Sequence, residues 1–319
     1  MTINKHDLTQ GGILKKLLQV AVPIMGTQLM QMVYNLTDMF WLGRTEQSVV
    51  AVAASGLAGM YLWLGMALLM IGRMGSEIGT SQNLGSGNVA ASQGYAQDSA
   101  RIALILGTFY GLMLIIFAEP LVSLLRVNDQ NVFDNTCNYL RIVGVGIPFT
   151  YVSAAVTGAF NGAGNSRLSF GANAVGLMVN MILDPLMILV WGWDVKGAAI
   201  ATVIAQATVC SLFILFVKRH PRRPFEHFRI LGRIGPVRIR QIMRWSLPVA
   251  AESGAFTALA MVVTGMVSAW YGETAVAVQR VGSQIESLSW LIGGGFSSAV
   301  TAFVGQNYGA RKWERIRRG

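Results

Sequence analysis

The chain has 319 residues, of which 53% are hydrophobic and 13% charged, with a mean hydropathy of +0.49. Soluble domains carry about 25% charged residues, so the composition excludes a water-soluble globular protein and points to an integral membrane protein. The net charge of +10 does not call for nucleic acid, because 20 of the 25 Lys and Arg fall in five segments that the positive-inside rule assigns to the cytoplasm.

Those segments are the N-terminus, Arg73 to Arg101, Asn161 to Arg167, Lys218 to Arg244 and Gly305 to Gly319. Eight apolar spans of roughly twenty residues or more, as a bilayer requires, are predicted between them at 16–43, 48–72, 100–118, 134–159, 168–191, 196–217, 245–271 and 274–304. No short apolar leader with a small-residue cleavage site precedes the first span. Cys137 and Cys210 lie in different spans and report nothing about redox compartment. His6, His220 and His227 fall in predicted cytoplasmic segments, so Ser297 and Ser298 have no membrane histidine to activate a nucleophile, and an intramembrane enzyme is disfavoured.

The first span reads VAVPIMGTQLMQMVYNLTDMFWLG from Val20 to Gly43. It holds Pro23 near one end and the carboxylate Asp38 near the other. A charge facing lipid costs several kcal/mol by most estimates, so such a residue usually faces a protein interior or a wet cavity. At about 1.5 Å of rise per residue, Asp38, Asp184 in the fifth span and Thr202 in the sixth come to one depth below the outer surface. Tyr34 precedes Asp38 by four residues and Asn180 precedes Asp184 by four, so each pair shares a helix face. The five make an oxygen-rich set of the kind hard cations favour. Pro185 leaves the carbonyl of Met181 without its helical donor, and Pro23 does the same for Gln19. Arg141, nearer the outer end of the fourth span, is the cation of this half with reach towards the carboxylates.

After the basic Lys218 to Arg244 loop the pattern restarts. Pro248 follows Pro23 at a shift of 225, and Gly305-Gln-Asn-Tyr-Gly309 follows Ser81-Gln-Asn-Leu-Gly85 at a shift of 224. This is an internal repeat. Because six spans separate the copies, both have one orientation, the parallel arrangement in which substrate sits between halves. The predicted class is an all-α polytopic membrane protein of two parallel six-helix bundle repeats, the first complete and only two helices of the second present. Its parts are a six-helix lobe at 1–217, a basic inter-lobe loop at 218–244 and the start of a second lobe at 245–319. The incomplete second copy suggests a chain truncated at its C-terminus.

Pro23 followed by YNLTDMFWLG, the QNLGSGN and QNYGARK motifs, and Asn180 to Asp184-Pro185 resemble the multidrug and toxic compound extrusion (MATE) transporters, the YNLTD form most resembling their DinF-like prokaryotic branch. The resemblance implies an exporter of organic, cationic or amphipathic compounds coupled to H⁺ or Na⁺, working without a cofactor, and as a monomer if full length, in a bacterial or archaeal cytoplasmic membrane, N-terminus inside. It implies that Asp38, Asp184, Asn180, Tyr34 and Thr202 bind the coupling ion and substrate, with Na⁺ a candidate at Asp38, Asn180, Asp184 and Thr202, and that Pro23 and Pro185 bend their helices. Glu252 resembles the second-lobe glutamate of the NorM-like branch, though it stands a turn nearer the cytoplasm than that role expects. Val263 takes the place of Asp38 in the second copy. Arg280 and Glu286 read as internal charge balance. A related transporter of a lipid-linked or metabolite cargo is the alternative.

Overall fold

A backbone with no water to bond must satisfy itself, and long apolar runs between short polar turns do so as helices. The computed structural model describes residues 7–45, 48–125, 127, 129–219, 228–230 and 232–319, without the side chains of Asn35, Asp38 and Met39 and of several residues between 261 and 288. The three histidines lie outside the described residues. In chain order come α1 (Ile13–Leu42), α2 (Ser48–Gly85), α3 (Val89–Ile116), the short α4 (Ala118–Leu124), α5 (Gln130–Gly162) and α6 (Ser166–Pro185). A π-helical segment at Leu186–Val190, α7 (Asp194–Arg219), α8 (Pro236–Gly309) and a terminal α9 (Trp313–Arg318) follow. There is no strand among the described residues.

Among the described residues, six helices are long and apolar enough to cross a membrane: α2, α3, α5, α6 with its π segment, α7 and the first arm of α8. Where eight spans were expected, α1 and the second arm of α8 fall outside that group. Gln19, Gln28 and Gln31 interrupt the apolar run of α1, and the second arm includes the residues between 261 and 288 whose side chains lie outside the described residues. Large apolar side chains such as Trp63, Phe109, Ile116 and Ile182 stand exposed around the bundle, the surface of a protein solvated by lipid.

Helix limits run past the predicted spans. Ser81 to Gly85, expected to open a cytoplasmic turn, is the last turn of α2, and the reversal is confined to Ser86, Gly87 and Asn88. Gly87 takes φ +77° there, and the Asn88 side chain accepts from the Ala91 N–H at 3.0 Å to start α3. The helices can extend because their polar ends pack on one another rather than on lipid.

α8 is helical over 74 residues, yet it doubles back. The Phe256 and Trp290 rings are 5.7 Å apart, whereas a straight helix would separate them by about 50 Å. The Gln279 amide donates to Thr264 Oγ1 at 3.4 Å, so the reversal lies between those residues, around Gly272. The returning arm runs parallel to α2: Arg73 donates to Ser298 Oγ at 3.3 Å, 225 residues away, Gly305 abuts Ser81, and the two Gln-Asn motifs cross at glycines. A methyl on Gly85 would collide with the Gln306 carbonyl, and one on Gly309 with that of Gln82.

Within the first bundle, α2, α3 and α5 are tied by tyrosines. Tyr110 and Tyr151 donate to the carbonyls of Tyr61 and Gly65, both at 2.5 Å, and Tyr61 donates to that of Leu121 at 2.6 Å. Gly65 makes room for both rings. The inter-lobe segment is held by Asp98 on α3, whose buried carboxylate accepts from Arg101 at 2.7 Å, Arg238 at 2.5 Å and the Gly235 N–H at 3.1 Å. Arg101 also donates to the carbonyls of Arg229, Ile230 and Arg233.

Candidate functional site

α1, α6 and α7 pack against one another in one corner of the bundle. α1 and α6 run parallel, since Ser166 Oγ donates to the Val20 carbonyl at 3.0 Å and Gly26 abuts Phe170 six residues further on. α6 and α7 run antiparallel, with Gly176 against Ala205 and Val209 and Gly197 against Met187 and Ile188. Following that register between its two fixed points puts Thr202 opposite residues 181–183, the level between Asn180 and Asp184.

Four of the five predicted residues meet there. Tyr34 and Thr202 share a hydrogen bond of 2.8 Å, which joins α1 to α7. The Asn180 amide donates to Asp184 Oδ1 at 3.1 Å along the shared face of α6. Asn180 and Asp184 are 1% and 0% exposed, and Thr202 is buried with them. Asn180 Oδ1 is buried with no hydrogen-bond partner among the described residues. Position 38 lies on α1 one turn beyond Tyr34, but the Asp38 side chain lies outside the described residues. No group of three or more His, Cys, Asp and Glu that could hold a metal occurs among the described residues; the oxygens available are one carboxylate, one amide and two hydroxyls.

The two prolines have different local effects. Pro185 ends α6, and the chain continues as the π segment, with the Trp191 N–H bonding the Leu186 carbonyl at 3.0 Å. A missing donor at Pro185 allows that wider turn. Pro23 stands ten residues inside α1 rather than at its start. α1 packs on α8 on both sides of it, through Leu17, Val20, Ala21 and Ile24 against Ala299, Ala302 and Phe303 and through Met25 and Gln28 beside Gly295 and Gly294, and further along Tyr34 reaches α7.

Other expectations fare differently. Arg141 is no counter-ion to Asp184; it pairs with Glu119 at 2.6 Å at the outer end of α5, beside an open polar cleft of about 500 Å³ lined by Gln130, Asp134 and Asn138. Its reach is spent across the α4–α5 turn. Glu252 is exposed on the first arm of α8. Glu286 is exposed too and accepts from Trp290 Nε1 at 3.0 Å, and the Arg280 side chain lies outside the described residues. Sequence reasoning missed Glu77, which is fully buried on α2. The available signal was its spacing of four from Arg73 on a stretch studded with Gly72, Gly75 and Gly79.

The MatE family profile matches this chain twice, over residues 23–186 and 248–318. The chain belongs to the MatE family. The two matched stretches begin at Pro23 and Pro248, the prolines that open the repeat. A probable multidrug resistance protein NorM of Thermotoga maritima is 25% identical over 312 residues, covering 95% of this chain and 65% of that protein. The chain thus spans about two thirds of the length of such MatE relatives. An FAD transporter of Shewanella oneidensis is 25% identical over 329 residues, covering 98% and 69%. The crystal structure of a MATE in complex with MaD3S superposes with a TM-score of 0.91 at 21% identity, covering 99% of this chain and 71% of that one, a likeness of fold.

Proposed function

We propose that this chain acts in the ion-coupled export of organic, cationic or amphipathic compounds, with Asp184, Asn180, Tyr34, Thr202 and Asp38 as the site where ion and substrate compete, in the manner of the DinF-like branch. The observation that carries this reading is the Asp184 carboxylate, fully buried in an apolar three-helix corner with Asn180 beside it. A fully buried carboxylate is costly to keep charged, and Arg141 is engaged elsewhere. A proton or a sodium ion would supply the charge, and the oxygen donors fit either.

On this reading the ion-loaded site is compact, with Tyr34 holding α1 against α7. A cationic substrate that displaces the ion, or an ion that releases the substrate, exchanges through one state of the first bundle, and exchange is coupling. Pro23 removes a helical hydrogen-bond donor from α1, so bending there moves Tyr34 relative to α7. The repeat supports a two-lobed arrangement, since α2 and the returning arm of α8 cross at equivalent glycines with the offset of the sequence repeat.

A metabolite cargo is the second reading, favoured by the likeness to the FAD transporter. A dinucleotide is anionic, and the carboxylates of the first bundle count against it. Efflux driven by a defined H⁺ or Na⁺ gradient tests the reading: Asp184→Asn and Asp38→Asn should abolish coupled export while inserting normally. Full export by both variants overturns it.

A further inference from the structure

Away from the Asp184 corner and the Asp98 anchor, the bundle buries a third acidic side chain. Glu77 sits on α2 two turns before Gly85, fully enclosed between α5 and the returning arm of α8. α5 comes so close that a methyl on Gly158 would strike the Arg73 carbonyl and one on Gly162 the Glu77 carbonyl; that helix therefore presents backbone and no charge to the pair. α8 presents the hydroxyl of Ser298, 3.4 Å from Glu77 Oε2 as donor and 3.3 Å from Arg73 Nη2 as acceptor. Arg73, one turn earlier on α2, is the charged group that acts on Glu77, yet no direct ion pair joins them among the described residues. Glu77 Oε1 and Arg73 Nε are buried without hydrogen-bond partners.

Among the described residues, the hydrogen bonds of this cluster thus run through one hydroxyl, and that hydroxyl belongs to the stretch after Pro248. If α2 and α8 part, Glu77 and Arg73 meet water; if they close, Glu77 keeps one long hydrogen bond and an unmatched oxygen. We propose that Glu77 is a second proton-binding site, which takes a proton from solvent as the α2–α8 interface closes and returns it to solvent as the interface opens. The step moves one proton between water and one carboxylate oxygen and needs no further reactant. Closing with the proton puts an O–H on the oxygen that otherwise lies unmatched and replaces a fully buried carboxylate with a neutral carboxyl, which is cheaper to enclose, while the part-exposed Arg73 keeps its charge. Ser298 is a positioning residue that sets the carboxyl geometry.

The inference rests on the transport reading, since it supposes that the two repeats part and close. Infrared spectroscopy of the full chain in lipid, recorded as difference spectra across a pH titration in H₂O and D₂O, reads protonated buried carboxyls directly. Glu77→Gln is expected to lose one protonated-carboxyl band that Asp184→Asn retains, and Ser298→Ala to shift that band without removing it. Should Glu77→Gln fold poorly, Ser298→Ala alone decides, because the loss of a neutral hydroxyl moves a Glu77 band and leaves an Asp184 band in place. An unchanged protonated-carboxyl region in Glu77→Gln and Ser298→Ala overturns the inference. Loss of a band in Asp184→Asn in that experiment would leave the primary site intact, whereas no change in any of the three variants defeats both.

Discussion

Asp184 and Asn180 were legible because an amide and a carboxylate four residues apart stand out in an apolar helix, and burial there needs a reason. Tyr34 and Thr202 were legible only as companions at the same depth, and their 2.8 Å hydrogen bond makes the companionship physical. Tyr34→Phe should lower thermal stability in detergent only slightly, since interhelical hydrogen bonds in membranes average about 0.6 kcal/mol. The same variant should impair coupled export far more than that, because α1 loses its tie to α7; equal transport in wild type and variant would remove Tyr34 from the site. Arg141 was misread because its partner Glu119 lies 22 residues back in another helix, a pairing that no local spacing reveals. Glu77 was passed over because the polar residues following it read as turn, whereas they are the packed end of a helix.

At the scale of the helix, the positions of the apolar runs were plain and their ends were not. Asn88 and Gly87 set the true reversal between α2 and α3, but the glycines spread from Gly79 to Gly94 gave no unique choice until packing picked one. The crossing glycines are a sharp case of packing deciding identity. Gly85→Val or Gly309→Val forces a side chain into a carbonyl of the opposing helix and should cost about 1–3 kcal/mol as overpacking does, seen as a lowered unfolding midpoint; Gly87→Ala, whose methyl would meet nothing within 4 Å but whose φ is left-handed, should cost about 1–2 kcal/mol from backbone strain alone. The anchor of the inter-lobe segment is a second such test. Asp98→Ala strands Arg101 and leaves Arg238 without its carboxylate, and losing one partner of a buried pair costs about 3–5 kcal/mol, somewhat less here because Arg238 is partly exposed. Trypsin should then cut near Arg229 and Arg233 faster than in the parent protein; unchanged cleavage would show that Arg101 holds the segment through its carbonyl bonds alone.

For the whole molecule, the repeat was the most informative feature of the sequence, and its offset reappears as geometry. The shift that relates Pro23 to Pro248 is the separation of Arg73 from Ser298 across the α2–α8 contact. A sequence gives the shift but not the contact, because which faces of two equivalent helices meet depends on small residues that look alike in a glycine-rich run. On the proposed reading, the labour is divided between a buried acidic corner inside the first bundle and a polar contact between α2 and the returning arm of α8, with α1 packed on both α6 and α8. The claim that the Asp184 corner exchanges an ion for a cationic substrate is tested most directly by binding tetraphenylphosphonium to the purified chain in weakly buffered solution while following pH and free Na⁺ together. The account predicts release of an ion, H⁺ or Na⁺, on binding by the parent protein and none by Asp184→Asn. Equal release by both, or binding with no release by the parent protein, would contradict it.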